Sequence, residues 1–252
     1  MSVKNDVSYV KELCNCYGND EKRIYFSTNE KLQELFSKVN FDGNDVLSVL
    51  SSSDQVFLSR SANAKSVDYF DKNYITLYYY YLRLWAIKYD KIYYPYELLC
   101  DDNVWLKELL NKVKTSSRLE KRALSFWKKM SKYYAISELF NMGKDFIDVS
   151  KVDFEKAIVD NGCFYNVDFF KPVFIDKKYD IIVASNILEW VSDKYDFIMV
   201  RDNAYRLLND NGIILCSDLW NKDNKMYEHL ILDTKFDYQN LEDDLGYVYK
   251  KQ

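Results

Sequence analysis

The sequence predicts an α/β fold built on a doubly wound, mostly parallel sheet. Short buried strands alternate with helices both early and late in the chain, and the first two strands each end in a polar turn. The chain has 252 residues, of which 48% are hydrophobic and 29% are charged, as is typical of a globular protein with a large core. We therefore expect one domain over residues 1–252, with a helical lead-in (1–42) and a helical insertion (about 91–160).

The lead-in and the first strand are predicted from their apolar patterns. Apolar residues at helical intervals predict a helix in the lead-in: Leu32, Leu35, Phe36 and Val39. The strand that follows, residues 46–50, is short, apolar and bounded by polar residues. It ends in a turn made of Ser51, Ser52, Ser53 and Asp54.

The second strand, residues 67–70, is followed directly by Asp71. A helix over about residues 55–63 connects the two strands, and parallel strands joined in this way need a right-handed crossover. Both polar turns should therefore lie at the same edge of the sheet. Asp71 follows Ser51 by 20 positions, the spacing at which nucleotide-binding α/β units place the carboxylate that bonds ribose hydroxyls. The pattern predicts a site for a nucleoside-containing cofactor.

The middle of the chain is predicted to be helical. An apolar, aromatic helix should extend from about residue 74 to 89, with its tyrosines in the core rather than in a stacking platform for bases. Residues from about 98 to 160 follow amphipathic helical patterns without a strand. This block interrupts the alternation of strands and helices, so we interpret it as an insertion.

Alternation returns after the insertion. Strands are predicted at residues 164–169, 179–185 and 213–217, with a helix over about 195–208 and a helix stop at 209–212. The strand at 179–185 has the continuous apolar character of a buried parallel strand. Alternating apolar residues at 227–232 and 245–249 favour a closing antiparallel pair.

Composition excludes several classes of function. The net charge of −4 and the pI near 5.3 argue against non-specific binding to nucleic acid, although they leave room for a local basic patch. The chain has no apolar run long enough for a transmembrane helix and no apolar signal segment at its start, so we expect a cytoplasmic protein. Five scattered cysteines and the single histidine, His229, predict neither a metal site nor a histidine-dependent hydrolase.

Two later motifs resemble those of class I S-adenosylmethionine-dependent methyltransferases. Residues 179–191 (YDIIVASNILEWV) are similar to the family's fourth strand and the turn after it, and residues 206–215 (RLLNDNGIIL) to its approach to the fifth strand. With Asp71, these motifs cover about two-thirds of the chain in the family's order. The resemblance implies a Rossmann-like sheet, S-adenosyl-L-methionine as the cofactor and a transfer reaction to an acceptor.

The candidate site residues follow from this interpretation. Asp71 would bond the ribose, Asp168 the adenine amino group with Phe169 beside the ring, and Ser185 and Asn186 lie where the sheet edge meets the substrate. The complete predicted cofactor-binding set is Ser51, Ser52, Ser53, Asp54, Asp71, Lys72, Asp168, Phe169, Ser185 and Asn186. The predicted acceptor-binding set is Tyr74, Tyr78, Glu189 and Trp190, although core packing explains the aromatic residues equally well and Glu189 fits a helix first turn.

The first loop departs from the family because it contains no glycine, which normally lets the backbone approach the methionine end of the cofactor. Serine amides and hydroxyls could hold the amino-acid portion, and Asp54 could receive its ammonium group. A looser resemblance links residues 24–26, 46–52, 67–73 and 122–127 to bacterial aminocarboxypropyl transferases that make betaine-lipid head groups.

Three classes of function stay open at this point. The first is an S-adenosylmethionine-dependent transferase, by preference a methyltransferase acting on a small or medium-sized acceptor, with aminocarboxypropyl transfer as its variant. The second is a non-catalytic binding module with a degenerate cofactor site. The third is a dinucleotide-dependent oxidoreductase, which the absence of G-x-G-x-x-G argues against.

Overall fold

The computed structural model describes residues 8, 24–25, 28, 31–95, 98–99, 103–132, 140–141, 147–185, 187, 194–216, 236–241 and 246–251. The chain divides into two compact units. The helical unit contains residues 1–29, 51–54 and 73–145, and the sheet unit contains residues 30–50, 55–72 and 146–252.

The described residues form strands and α-helices, with a π-helical turn (Ala86–Asp90) and a 3-10 turn (Val149–Lys151) in addition. In chain order the strands and α-helices are β1 (Ile24–Tyr25), α1 (Leu32–Ser37), β2 (Asp45–Val49), α2 (Asp54–Ser61), β3 (Ser66–Phe70), α3 (Ile75–Trp85), α4 (Val104–Lys112), α5 (Arg118–Met130), β4 (Phe140–Asn141), α6 (Phe154–Ala157), β5 (Phe164–Tyr165), β6 (Tyr179–Val183), α7 (Lys194–Leu207), β7 (Leu208–Cys216), β8 (Phe236–Leu241) and β9 (Gly246–Lys251).

The described part of the sheet unit contains a seven-stranded sheet in the order β5-β3-β2-β6-β7-β9-β8. The first five strands are parallel, and β9 is antiparallel to both of its neighbours. The order of strands along the chain reverses between β2 and β6, which makes this pair the topological switch point of the sheet. The predicted doubly wound, mostly parallel, Rossmann-like sheet is therefore confirmed.

The predicted strand boundaries agree best with the structure where the apolar pattern of the sequence is strongest. The ends of β2, β3 and β6 lie within two residues of their predicted positions. The strand predicted over residues 164–169 is wrong in length, because only Phe164 and Tyr165 pair with β3. The helix stop predicted at 209–212 lies inside β7, where the register against β6 shifts and Asn211 has a φ of 63°.

The closing antiparallel pair is formed by β8 and β9. The strand predicted at 245–249 corresponds to β9 (Gly246–Lys251). The one predicted at 227–232 lies outside the described residues.

The helical unit is built around α3, whose eleven residues are all buried. Tyr78, Tyr79 and Tyr80 are completely inaccessible, which confirms that the tyrosine run belongs to the core. From α5, the Trp127 indole Nε1 donates a hydrogen bond of 2.7 Å to the Tyr78 carbonyl. α5 begins with a reciprocal capping box between Ser117 and Glu120, which satisfies two backbone N–H groups of its first turn.

The prediction that residues 98–160 are entirely helical is wrong. Strand β4 lies in this block and pairs in parallel with β1, with Ile24 opposite Phe140. Two-residue strands carry no alternating pattern, and this pair joins segments more than a hundred positions apart. Helices α4 and α5 account for the amphipathic patterns at Leu106, Leu109, Phe126 and Trp127, all of which are buried.

The hydrophobic core of the sheet unit contains apolar side chains of the parallel strands. Leu47, Ile182 and Leu208 are among those that are completely buried. Gly162, which precedes β5, lies directly against the backbone of β3. A Cβ at this position would be 1.8 Å from the Val67 carbonyl oxygen, so only glycine fits there without displacing the strand.

Candidate functional site

The carboxyl ends of three strands of the sheet unit lie at one edge. Val49 of β2 is in register with Phe70 of β3, and Ser48 with Val183 of β6. Beyond the strands, the Leu50 amide donates to the Phe70 carbonyl at 2.8 Å and so continues the pairing of β2 with β3. Ligands of open α/β sheets bind outside this edge at the switch point, so the side chains there are the candidates for a binding site.

A buried side-chain hydrogen bond joins the elements on either side of the switch point. Gln55, at the start of α2, donates from Nε2 to Ser185 Oγ at 3.0 Å, and Ser185 follows β6 by two residues. The two residues are at most 1% exposed. Ser185 was selected by sequence, whereas Gln55 was not, and its only sequence signal is its place at the first turn of the crossover helix.

Asp71 lies where the sequence predicted it, directly after β3 and partly exposed. Its amide donates to the Tyr165 carbonyl at 3.2 Å. Asn166 donates from Nδ2 to the carbonyls of Asp71 (2.9 Å) and Lys72 (3.1 Å) and thereby restrains the backbone of the turn. Lys72 itself is exposed. Asn166 was missed by sequence reasoning, since its contact depends on β5 lying beside β3.

Asp168 and Phe169 occupy a turn beyond β5. Asp168 accepts from the Phe170 amide at 3.1 Å, and its second oxygen is 3.6 Å from Lys171 Nζ. Phe169 is 3% exposed, and its ring stacks on Phe70 with the centroids 4.4 Å apart. Turn formation and core packing thus account for both side chains, and their contacts with an adenine stay predictions.

The serine loop after β2 has the backbone of a glycine loop. Ser51 has a φ of 42° and Ser53 a φ of 77°, a region of backbone space that favours glycine. The Ser53 hydroxyl is buried and has no hydrogen-bond partner among the described residues, whereas Ser52 Oγ donates to Asp54 Oδ2 at 2.8 Å. An unpaired buried hydroxyl in this loop is a group that a polar ligand could satisfy.

Replacing Ser53 with glycine is expected to raise the free energy of unfolding by about 0.5–1 kcal/mol, because relief of the positive φ outweighs the entropy that glycine adds to the unfolded chain. Urea unfolding monitored by tryptophan fluorescence measures the change. Ser59→Gly in α2 is the matched control and should lose about 1 kcal/mol, since glycine is unfavourable inside a helix. A loss of stability in Ser53→Gly similar to that of the control would contradict the expectation.

Asp54 is completely buried within the helical unit and is saturated by protein donors. Its Oδ1 accepts from Arg83 Nη2 (2.8 Å) and the Tyr94 hydroxyl (3.2 Å). Its Oδ2 accepts from the Thr28 amide and Ser52 Oγ, both at 2.8 Å. Because two bonds to each oxygen are the usual capacity of a carboxylate, an incoming ammonium group would have to displace one of these donors.

Arg83, the partner of Asp54, is itself fully buried. Its Nη1 donates to the Ser52 carbonyl and its Nε to the Tyr93 carbonyl at 3.2 Å. The guanidinium lies 4.6 Å from the Tyr93 ring centroid and 4.8 Å from that of Tyr94. Burial opposes the charged form of Arg83, but the Asp54 carboxylate and the surrounding tyrosines outweigh it and raise the pKa of the guanidinium. The same burial, together with Asp54, raises the pKa of Tyr93.

The predicted acceptor-binding residues are only partly described. Tyr74 and Tyr78 both lie in the helical unit with their rings edge to face at 5.3 Å, and the Arg122 guanidinium lies 4.8 Å from the Tyr74 ring centroid. Asn186, Glu189 and Trp190 lie outside the described residues.

Metal ligation and membrane insertion find no support in the described ranges. No group of three or more histidine, cysteine, aspartate or glutamate side chains in that part of the chain could hold a metal ion. None of the helices in the described ranges is both long and apolar enough to cross a membrane. Of the described cysteines, Cys163 is exposed and Cys216 is buried.

The sheet unit has the features of a nucleoside-cofactor-binding α/β unit. It contains a parallel sheet with a switch point, a tight turn follows β2, and a carboxylate follows β3. No protein-family model matches the sequence, and no curated protein matches it.

Several solved structures are similar to the chain at low identity. The N-methyltransferase NodS from Bradyrhizobium japonicum WM9 is 10% identical with a TM-score of 0.41, over 88% of this chain and 92% of that chain. A TehB-like SAM-dependent methyltransferase from Corynebacterium glutamicum is 12% identical with a TM-score of 0.45, over 99% and 98%. A putative rRNA-methylase from Clostridium thermocellum is 12% identical with a TM-score of 0.42, over 90% and 98%. All three are described as methyltransferases or methylases, the class that the sequence motifs resemble.

Proposed function

We propose that the protein is an S-adenosylmethionine-dependent methyltransferase acting on a small or medium-sized acceptor. The observation that supports this most is the position of Asp71, at the carboxyl end of β3 and beside β2, in a chain whose later motifs resemble that class. Ser185, at the end of β6, lies at the same edge of the sheet unit and is oriented by Gln55.

Asp71 is proposed to accept hydrogen bonds from the two ribose hydroxyls, since an ionised carboxylate offers acceptors only and so matches two donors. Asn166 holds the turn that carries Asp71, and the backbone is therefore positioned before any ligand arrives. Within the described part of the chain the buried Ser53 hydroxyl has no hydrogen-bond partner, so it could bond a polar group of the cofactor. These features fit the cofactor, although no glycine is present in the loop.

S-adenosylmethionine supplies a methyl group that the adjoining sulfonium already activates. The protein then needs to hold the acceptor in line and exclude water, and positioning of this kind can lower a barrier by several kcal/mol. Tyr74, Tyr78, Glu189 and Trp190 are our candidates for acceptor contacts, and Asp168 and Phe169 for adenine contacts.

Two alternatives make different predictions. A dinucleotide-dependent oxidoreductase fits less well because the sheet ends in the antiparallel pair of β8 and β9 where the dinucleotide fold has a sixth parallel strand. A non-catalytic module is favoured by one observation, the saturation of Asp54 by Arg83 and its neighbours. Such a module would bind S-adenosylmethionine weakly or not at all.

Isothermal titration with S-adenosylmethionine and S-adenosylhomocysteine tests the proposal, and Asp71→Ala identifies the site. We expect the variant to lose about 1–3 kcal/mol of binding free energy, or roughly 5- to 150-fold in affinity, through the lost ribose bonds. Asp42→Ala, which removes an exposed carboxylate from another turn of the sheet unit, is the control and should bind like the natural protein.

Three results would count against parts of the proposal. Absence of binding by the natural protein would favour the non-catalytic module, and unchanged affinity in Asp71→Ala would remove that residue from the site. With an acceptor in hand, formation of methylthioadenosine instead of S-adenosylhomocysteine would indicate aminocarboxypropyl transfer.

A further inference from the structure

A lysine-rich groove lies in the helical unit along α4 and α5. It has a volume of about 750 Å³ and is lined by Lys107 of α4 and by Lys121, Lys128, Lys129 and Lys132 of α5 and the residues after it. No acidic residue is among its described lining residues. Five positive charges are thus grouped on a chain whose net charge is −4.

None of these lysines has an ion-pair partner in the described ranges, unlike Lys112 of the same unit. All five are exposed. Lys112, also on α4, lies instead 2.7 Å from Asp90. Like charges held close together repel one another, and a polyanion in the groove would remove that repulsion.

The spacing of the lysines gives the groove a direction. Lys121 and Lys128 are seven positions apart, two helical turns, and so lie on one face of α5, about 10 Å apart along its axis. Lys132 continues this row beyond the helix, and Lys107 belongs to the neighbouring helix. A linear row of positive charges suits an extended chain of phosphates.

The apolar residues of α5 distinguish between two kinds of polyanion. A helix that binds a bilayer exposes large apolar residues that insert between the lipids. In α5 the large residues Phe126, Trp127 and Met130 are at most 3% exposed, since they pack inside the helical unit, while Leu119 and Leu124 are half-buried. Leu110 and Leu124 are the apolar residues among the described lining of the groove, and Leu110 is 2% exposed.

From this charge, spacing and shape we propose that the groove binds the phosphodiester backbone of a nucleic acid. No aromatic side chain is among its described lining residues, and we therefore expect binding to depend little on base sequence. This inference does not rest on the proposed methyl transfer, and it differs from the expectation drawn from the overall acidic composition.

Fluorescence anisotropy with labelled 20-nucleotide RNA, and with DNA of the same sequence, tests the proposal at several salt concentrations between about 50 and 200 mM. We expect affinity to fall with salt, with a log–log slope no steeper than about −3.5 for five contacts on a single strand. The triple variant Lys121→Glu, Lys128→Glu, Lys132→Glu should bind at least about tenfold more weakly, with a slope smaller by about 2. Comparing the affinities of the RNA and the DNA shows whether the ribose 2′-hydroxyl contributes to binding.

The matched control is the triple variant Lys38→Glu, Lys178→Glu, Lys250→Glu, which changes the net charge equally at exposed lysines of the sheet unit. It should retain affinity within about threefold, and equal weakening of both variants would overturn the proposal. Salt-independent binding, no binding, or binding only to phosphatidylserine vesicles would also overturn it. Circular dichroism verifies that each variant folds. If the groove variant does not fold, glutamine replaces glutamate at Lys121, Lys128 and Lys132.

Discussion

Replacing Arg83 with methionine is expected to lower the free energy of unfolding by about 3–5 kcal/mol, because it leaves the Asp54 carboxylate buried without its cation. Both side chains are completely inaccessible, and Arg83 Nη2 lies 2.8 Å from Asp54 Oδ1. Methionine keeps much of the apolar volume of the arginine stem, so the loss reports mainly the unpaired charge. Urea unfolding followed by tryptophan fluorescence measures it.

Two companion variants make the Arg83 result interpretable. Lys88→Met removes an exposed positive charge from the π-helical turn after α3 and should change stability by less than about 0.5 kcal/mol. The double variant Arg83→Met, Asp54→Asn removes both charges and should recover part of the loss. If the single variant lost less than about 1 kcal/mol, or the double variant recovered nothing, the ion pair would not be the source of stability.

Replacing Gly162 with alanine is expected to lower the free energy of unfolding by about 3 kcal/mol, the upper end of the range for overpacking. The new Cβ would lie 1.8 Å from the Val67 carbonyl oxygen and 2.7 Å from its carbon, and both atoms belong to the backbone of β3. A flexible side chain could move aside, whereas a central strand paired on both edges cannot move without breaking its hydrogen bonds. The same unfolding assay measures the loss.

Gly43→Ala provides the comparison for this variant. Gly43 has a φ of 75° and open space around its Cβ position, so alanine there meets backbone strain but no clash. It should cost only about 1–2 kcal/mol. Equal losses in the two variants would show that the contact with β3 is relieved at little cost. Because β3 leads into Asp71, the Gly162 variant should also bind S-adenosylmethionine more weakly if the proposed site is correct.

The parallel strands could be predicted from sequence because their signal is local. β2, β3 and β6 are short apolar runs bounded by polar residues, and this pattern results from burial on both faces. β5 is shorter than predicted because it is an edge strand whose length depends on how many residues reach β3. The pairing of β1 with β4 left no local pattern, so the sequence indicated helix there.

The candidate site also contains residues that a local pattern reveals and residues that only distant contacts bring together. Asp71 and Ser185 could be located because Asp71 directly follows one predicted strand and Ser185 ends another. Gln55 and Asn166 could not, since their hydrogen bonds to Ser185 and to the turn of Asp71 join residues 130 and 95 positions apart.

Asp54 lies in the turn that the sequence predicts, but its ion pair was not expected. Sequence reasoning assigned it to a ligand's ammonium group. The structure pairs it with Arg83, which lies in an aromatic helix 29 positions later. Nothing in the local pattern distinguishes a buried arginine in such a helix from an exposed one.

The sequence by itself determined the class of fold, the position of the turns that follow β2 and β3 and the carboxylate after β3, since each depends on burial and chain direction within a few residues. Only the tertiary structure decided that the glycine-free loop adopts positive φ angles, that Asp54 is neutralised by Arg83, and that five lysines line one groove. Those outcomes depend on packing between distant segments, where burial makes an unpaired charge costly and brings together side chains that the chain keeps apart.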